Sequence, residues 1–302
     1  MSTGANNKWW YIEQVDKAVI PATPNWKEFL RNSGQITIEK SVNESERIGK
    51  PYRSCVRLGS TTVGGEGSIE LSYGDYDDFL EALLGGTWAG DELKLGDERR
   101  YFAFANEYSD FASADKFIYS LGNEVSSFEL SVESESQVTG SFSFAGLTSD
   151  ESKNDEVTGS TYTAATGNCA FDSFSGDVKI DTVSTSIITS ISLSIEKNLE
   201  AKRSIGSKYA RDNNTGVRSV TGSATLHFDD LVEYKKFESE TAVELDLTLS
   251  STAGDLNFLL ENVKYTSAQP EVGGAGEVTL SVEFSALYDV SSQTELTITR
   301  IP

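Results

Sequence analysis

The side chains best suited to chemistry in this sequence are carboxylates, which occur in two short clusters. Asp75, Asp77 and Asp78 form the first cluster, and Asp229 and Asp230 form the second. Paired carboxylates can act as general acid and base, or bind a divalent cation. Each cluster, however, precedes a short amphipathic run, where acids interact favourably with the free N–H groups of a helix N-terminus. Their recurrence before both runs favours this structural role, with Asp75 and Asp229 as N-caps.

Few other residues could support catalysis or bind a metal. His227 is the single histidine in 302 residues, and no Ser-x-Gly elbow accompanies it. Cys55 and Cys169 are the only cysteines, too few for a zinc site or a disulfide framework. We therefore predict no catalytic residue, no metal site and no cofactor, and we expect that the protein is not an enzyme.

The composition is that of a folded but strongly acidic protein. Lys and Arg number 25 against 47 Asp and Glu, which gives a net charge of −22. This charge opposes tight binding to nucleic acid, because phosphate contacts need Lys and Arg, but it does not oppose the passage of DNA nearby. The sequence has neither an apolar run long enough for a transmembrane helix nor a signal peptide pattern. We expect no membrane partner.

Three blocks of sequence recur in the same order. Ile38-Glu-Lys returns as Ile195-Glu-Lys at an offset of 157 residues. Gly67-Ser-Ile-Glu-Leu returns as Gly222-Ser-Ala-Thr-Leu at an offset of 155, and the segment ending in Phe144 resembles the one ending in Phe284 at an offset of 140. Three ordered matches indicate two copies of one domain.

The elements that position these residues are mainly strands. Apolar–polar alternation predicts a β-dominated chain, and each copy holds one convincing short helix, at about 76–85 and 230–239. The predicted fold is two tandem β-sandwiches, each with one flanking helix and a long basic loop. The predicted division is an N-terminal arm at 1–19, a first domain at 20–147, a polar linker at 148–170 and a second domain at 171–302.

Basic side chains are concentrated at one place in each copy, between the Ile-Glu-Lys strand and the next strand. They are Arg47, Lys50, Arg53 and Arg57 in the first copy, and Lys202, Arg203, Lys208, Arg211 and Arg218 in the second. Such stretches are often merely solvated loops. The alternative is that they contact an acidic surface of a neighbouring copy, because self-complementary charge favours ordered association.

An aromatic run near the N-terminus has two interpretations. Trp9, Trp10 and Tyr11 are consecutive and precede the first repeat. They could cover an edge of the core, or they could belong to an arm that docks on another subunit. The sequence does not separate these alternatives.

The repeated blocks resemble the major tail tube proteins of long, non-contractile-tailed bacteriophages, over about residues 20–300. The resemblance is carried by residues 20–26, 79–88, 138–144 and 191–203. It implies a virion protein of the tail whose subunits form stacked rings around a tape measure protein, with tail terminator and tail-tip proteins as further partners. DNA would pass through the lumen without specific binding. Duplication would allow a ring of three chains with pseudo-sixfold symmetry, assembled in the host cytoplasm.

Two other functions fit parts of the sequence. A different assembly protein, such as a tail-tip, decoration or pilus-like subunit, would share the composition. A carbohydrate-binding β-sandwich could use the four Trp and 12 Tyr residues as a sugar platform, although these aromatics are dispersed.

Overall fold

A computed structural model describes residues 3–44, 48, 52, 55–114, 116–150, 154–185, 187–272 and 276–302. The chain is mainly β, as predicted. The elements of the first half are β1 (Asn7–Gln14), β2 (Asn25–Phe29), β3 (Ser33–Glu44), β4 (Val56–Glu70), α1 (Asp77–Leu84), β5 (Glu92–Leu93), β6 (Tyr101–Tyr108), β7 (Phe117–Glu133), β8 (Thr139–Gly146), β9 (Thr148–Ser149) and β10 (Thr161–Thr163).

The second half repeats this order with small additions. Its elements are β11 (Asp177–Ile180), β12 (Val183–Ser184), β13 (Ile188–Glu196), β14 (Leu199–Lys202), β15 (Asp212–Thr215), β16 (Ser219–His227), α2 (Val232–Glu238), β17 (Val243–Ser251), β18 (Gly254–Val272), β19 (Val278–Ala286) and β20 (Thr297–Ile301).

Each half packs two sheet layers against each other. In the first half one layer has the order β10-β2-β1-β6-β7-β9, and the other has the order β3-β4-β8-β7. β7 belongs to both layers, because it pairs with β6 up to Asn123 and with β8 from Glu124 onward. Gly122 lies at this transition with φ of 64°, a backbone conformation that side chains disfavour.

The second half has the same plan. One layer has the order β12-β11-β17-β18-β20, and the other has the order β13-β16-β19-β18. β18 spans both layers as β7 does, pairing first with β17 and then with β19. A small separate ribbon of β14 and β15 extends from β13 and β16.

Pairing registers of the two halves correspond at constant offsets. Ile38 faces Val63 in the first half, and Ile195 faces Val220 in the second, so both strands are related by 157 residues. Phe144 faces Gly65 and Phe284 faces Gly222, which fixes the offset of the last block at 140. The bulge in β7 between Val125 and Ser127 also recurs in β18, between Tyr265 and Ser267.

One predicted repeat match was wrong by two residues. The pairing makes Gly65, and not Gly67, the counterpart of Gly222. Gly67 instead corresponds to Ala224, and both are buried. A shift of two residues keeps each side chain on the same face of its strand, so alternation alone could not detect the error.

The helices lie where the sequence predicts them, but their N-caps differ. Tyr76 and Leu231 occupy the N-cap positions, and neither makes a side-chain capping bond. Asp75 instead accepts hydrogen bonds from the Ser72 hydroxyl at 2.6 Å and from the Thr166 backbone N–H at 2.8 Å. Gly85 ends α1 in the left-handed conformation, which is common at helix C-caps.

The aromatic run near the N-terminus lies in the core of its own chain. Trp9, Trp10 and Tyr11 stand in β1 between β2 and β6, with 2%, 7% and 4% of their surface exposed. The indole N–H of Trp10 donates to the Glu107 carboxylate at 2.8 Å. Within the single chain, these three side chains therefore belong to the core. Tyr11 also joins a cluster of ring contacts that includes Phe79, Phe102 and Phe104.

The predicted linker contributes to the first sandwich. Its residues include β9, which pairs with β7, and β10, which runs parallel to β2. The Tyr119 hydroxyl donates to the Asp155 carbonyl at 3.0 Å. The described part of segment 148–170 is therefore bonded to the first half.

Candidate functional site

Eight strands form one continuous antiparallel sheet that crosses both halves. Their order is β3-β4-β8-β7-β13-β16-β19-β18. The two halves meet where β7 pairs with β13, with Leu130 opposite Leu193. Each half contributes four strands in the same order, so the sheet carries the repeat across its whole width.

One face of this sheet packs on the core, and the opposite face is polar. Alternate residues such as Phe142, Leu193 and Val282 are buried beneath the sheet. The opposite face is hydroxyl-rich, as in the cross-strand row Gln35, Glu66, Ser143, Ser127, Glu196 and Ser219. We call this surface the acidic face. Its carboxylates are Glu39, Glu66, Glu70, Glu129, Glu133, Glu196, Glu271 and Glu283.

The acidic face is also free of cations over most of its area. From β3 to β19 the described residues paired on this face include Ser, Thr, Glu and Gln together with His227, but neither Lys nor Arg. On β18, Lys264 stands on the same face opposite Ser285. Such a surface repels phosphate and offers it few ionic partners. The hydroxyl side chains of Ser and Thr are short, so they project little from the sheet.

A groove of about 610 Å³ lies on this face, across β4, β8, β7 and β13. Its lining combines hydroxyls with carboxylates and contains no aromatic ring and no basic side chain; it includes Ser68, Glu129, Ser131, Ser141 and Ser192. Among the described residues no group of three His, Cys, Asp or Glu could hold a metal ion. The lining of the groove is therefore polar and acidic.

The junction between the halves contains a buried lysine. Lys197 follows β13 and is 1% exposed, and its ammonium donates to the Ala82 carbonyl in α1 at 3.0 Å. Burial lowers the pKa of Lys197 to about 8, against a partial opposing effect of the Glu124 charge. Burial of the charged Lys197 ammonium therefore costs free energy, which other contacts of the junction must offset.

A network of ion pairs covers the same junction. Arg99 donates to the fully buried carboxylate of Glu124 at 2.8 Å and to Asp212 at 3.1 Å. Lys17 also donates to Asp212, at 2.9 Å. Although burial raises the pKa of Asp212, the bonds from Lys17 and Arg99 outweigh it and lower that pKa to about 2. Asn213 completes the network by donating to Glu124 at 3.2 Å.

The basic residues singled out in the sequence divide into three groups. Arg47, Lys50 and Arg53 lie outside the described residues. The side chains of Arg57, Lys202, Lys208 and Arg211 are exposed. The other two, Arg203 and Arg218, bind the first half of their own chain.

The second basic stretch is a folded ribbon that lies on the first half. Arg203 donates to the Thr61 carbonyl at 3.0 Å, and the Lys208 carbonyl accepts from the Thr61 N–H at 2.7 Å. Arg218 donates at 2.7 Å to the carbonyls of Leu84 and Gly96, near the end of α1. The predicted long basic loop is thus a short two-stranded ribbon, β14 and β15, with residues 203–211 as the loop between its strands.

The geometry agrees with one family comparison. A family model described as phage tail tube protein matches residues 4–286. The chain belongs to the phage tail tube protein family. The comparison with curated proteins found no match.

Family membership gives the acidic face and the junction their context. A tail tube protein is a structural component of the phage virion tail, and the described residues hold no helix long and apolar enough to cross a membrane. The sequence prediction missed the junction residues Lys197, Arg99 and Glu124. Lys197 belongs to the repeated Ile-Glu-Lys motif, but nothing in the motif distinguishes the buried lysine from its exposed counterpart Lys40.

Proposed function

We propose that this chain polymerises into stacked rings that form the phage tail tube, and that the acidic face lines its lumen. The observation that supports this most is the continuous eight-stranded sheet, whose one face is rich in Ser and Glu and carries neither Lys nor Arg in the described rows from β4 to β19. A wall of this kind lets DNA pass, because its carboxylates repel phosphate and it offers few cations that would bind it.

The ring would hold three chains. Each chain offers eight strands made of two four-stranded repeats, so three chains give pseudo-sixfold symmetry. With strands about 4.8 Å apart, three such chains enclose a cylinder with a backbone diameter of about 37 Å before strand tilt. Six chains would double that figure and leave a bore far wider than one DNA duplex.

Other proteins would meet this tube at defined places. The tape measure protein would fill the lumen before DNA, and the terminator and tail-tip proteins would bind the two ends. Assembly would occur in the host cytoplasm before the tail joins the virion. The acidic face suits a transient occupant, because its described residues from β3 to β19 include no Lys or Arg that would hold one tightly.

The exposed basic side chains would contact the next ring. Arg57, Lys202, Lys208 and Arg211 stand near the tip of the β3–β4 hairpin or on the β14–β15 ribbon. An acidic protein with basic groups in one place can stack in a fixed orientation, since the charges are complementary between copies. Arg47, Lys50 and Arg53, which lie outside the described residues, belong to this proposal by sequence position.

The competing functions have less support. The groove on the acidic face has no aromatic lining on which a sugar ring could stack. Trp9, Trp10 and Trp26 are buried in the core. A terminal or decoration subunit would share the fold but would not form open-ended tubes.

Assembly of the purified chain tests the proposal. We expect negative-stain electron microscopy and light scattering over a range of concentrations to show rings or hollow tubes, with a mass per ring of three chains. Closed particles, or a monomer that stays monomeric when tail-tip proteins are added as initiators, would contradict it.

A further inference from the structure

The two outer edges of the eight-stranded sheet are the counterparts of the two strands that meet inside the chain. β18 corresponds to β7 at an offset of 140, and β3 corresponds to β13 at an offset of 157. Within the described residues β3 pairs with β4 alone, and residues 267–272 of β18 pair with β19 alone. The two edge strands of the sheet, β3 and β18, are thus the counterparts of the two strands, β13 and β7, that pair at its centre.

We infer that β18 of one chain accepts β3 of a second chain in the register of the internal β7–β13 pair. The internal pair sets Leu130 opposite Leu193. Leu130 corresponds to Pro270 at the offset of 140, and Leu193 corresponds to Ile36 at the offset of 157. The same register therefore sets Pro270 opposite Ile36, and Glu271 opposite Gln35, of the second chain. This inference rests on the proposed tube, and it adds the edges and register through which each ring closes.

The internal ladder shows which way the backbone groups point. Lys197 donates its N–H to Ser126 at 2.8 Å, and Ser134 donates to Thr189 at 3.0 Å. Hydrogen-bonded and non-bonded pairs alternate along antiparallel strands, so Leu130 and Leu193 form a bonded pair midway between these two contacts. The N–H group of Leu130 therefore points towards β13.

Pro270 of β18 corresponds to Leu130 of β7. It therefore occupies a position at which a backbone N–H would have to donate to β3 of the next chain. The position of Pro270 turns its nitrogen away from β19 and towards the open edge, and proline has no N–H to offer. The ladder between chains therefore lacks one hydrogen bond that the internal ladder makes. Pro270 is compatible with the folded chain for the same reason, since β19 needs no donor at that residue.

The exposed edges carry side chains suited to this pairing. Ile36 and Ile38 of β3 are half-buried, whereas their counterparts Leu193 and Ile195 are 3% and 1% exposed under the internal junction. Val272 at the end of β18 is 69% exposed. Association of the edges would bury these apolar groups and continue the acidic face from one chain to the next.

Disulfide formation between chains tests the register directly. In a background with Cys55→Ser and Cys169→Ser, chains carrying Gln35→Cys are mixed with chains carrying Glu271→Cys under mild oxidation. The register makes these a non-bonded pair, whose short Cα separation suits a disulfide. We expect a covalent dimer from the mixture and none from either variant alone. A chain with both substitutions should give a ladder of products ending at a closed ring of three.

A shifted pair provides the matched control. Gln35→Cys mixed with Gln269→Cys is two residues out of register, and we expect at least ten-fold less dimer. Tubes that form while the shifted pair cross-links better, or while neither pair does, would overturn the inferred register and leave the tube proposal standing. Absence of both tubes and cross-links would overturn both.

Discussion

At the scale of single residues, the junction between the halves depends on charged groups that are withheld from water. Glu124 is fully buried and is paired with Arg99, which also reaches Asp212 and the Asn213 carbonyl. Removing one partner of a buried pair leaves the other charge uncompensated, which is more costly than losing a surface pair. The junction is therefore sensitive to single substitutions that the surface would tolerate.

Replacement of Arg99 tests this sensitivity. We expect Arg99→Ala to lower the free energy of unfolding by about 3 kcal/mol, because the Glu124 carboxylate would lose its main donor. Lys94→Ala is the matched control, since Lys94 pairs with Glu92 at 3.3 Å on the surface, and we expect its effect to stay under about 0.5 kcal/mol. Urea denaturation of both variants measures the difference. Equal losses of unfolding free energy in the two variants would contradict an energetic role of the buried Arg99–Glu124 pair.

Lys197 predicts a specific pH dependence. Its pKa is about 8 in the folded chain and 10.5 in the reference state, so between these values the unfolded chain binds more protons. Stability must then rise with pH across this window, by up to about 3 kcal/mol for this group. We expect the free energy of unfolding of the wild type, relative to Lys197→Met, to increase between pH 7.5 and pH 9.5. Parallel pH profiles of the two proteins would contradict a buried, shifted lysine.

At the scale of elements, β18 and β3 would set the strength of ring closure in the proposed tube. Pro270→Leu restores the N–H that the edge lacks and supplies the residue found at the equivalent Leu130. We expect the critical concentration for assembly to fall about five-fold, the equivalent of one net hydrogen bond of about 1 kcal/mol. Light scattering across a dilution series measures it.

A second substitution on the same edge should act in the opposite direction. Val272 has the same orientation as Pro270, so Val272→Pro removes another outward donor while leaving the bonds to β19 intact. We expect slower assembly and a higher critical concentration, with unchanged monomer stability by thermal unfolding. The edge-pairing account would be untenable if Pro270→Leu and Val272→Pro shifted the critical concentration in the same direction.

Much of the element scale could be predicted from the sequence. Alternation predicted a β-dominated chain, and the two amphipathic runs located both helices, because local periodicity reflects burial directly. The β14–β15 ribbon and the burial of Lys197 could not be predicted. Both depend on packing between halves that lie more than 100 residues apart in sequence, and a polar side chain in a repeated motif has no local sign of its environment.

At the scale of the whole molecule, two surfaces differ in charge: the acidic face of the sheet and the basic β14–β15 ribbon. The described rows of the acidic face carry no Lys or Arg from β3 to β19, whereas Lys208 and Arg211 lie exposed on the ribbon of the second half. In the proposed tube the first surface meets the lumen contents and the second meets another ring. Reversing the ribbon charges should therefore disturb stacking and leave ring closure intact.

The double substitution Lys208→Glu with Arg211→Glu tests this separation. Neither side chain holds the ribbon to the first half, where Arg203 and the Lys208 backbone make the contacts. We expect single rings to persist while tubes shorten or disappear, with an unchanged circular dichroism spectrum. Tubes of normal length would show that these residues do not mediate stacking; loss of rings as well would assign them to ring closure instead.

The central claim is that the eight-stranded sheet closes around the tube axis with its acidic face inward. A three-dimensional reconstruction of assembled tubes by electron cryo-microscopy tests it most directly. We predict three chains per ring, β18 beside β3 of the next chain, and Glu66, Glu129 and Glu283 on the lumen wall. A tube whose lumen is lined by the opposite layer, with these glutamates on the outside or between rings, would contradict the account.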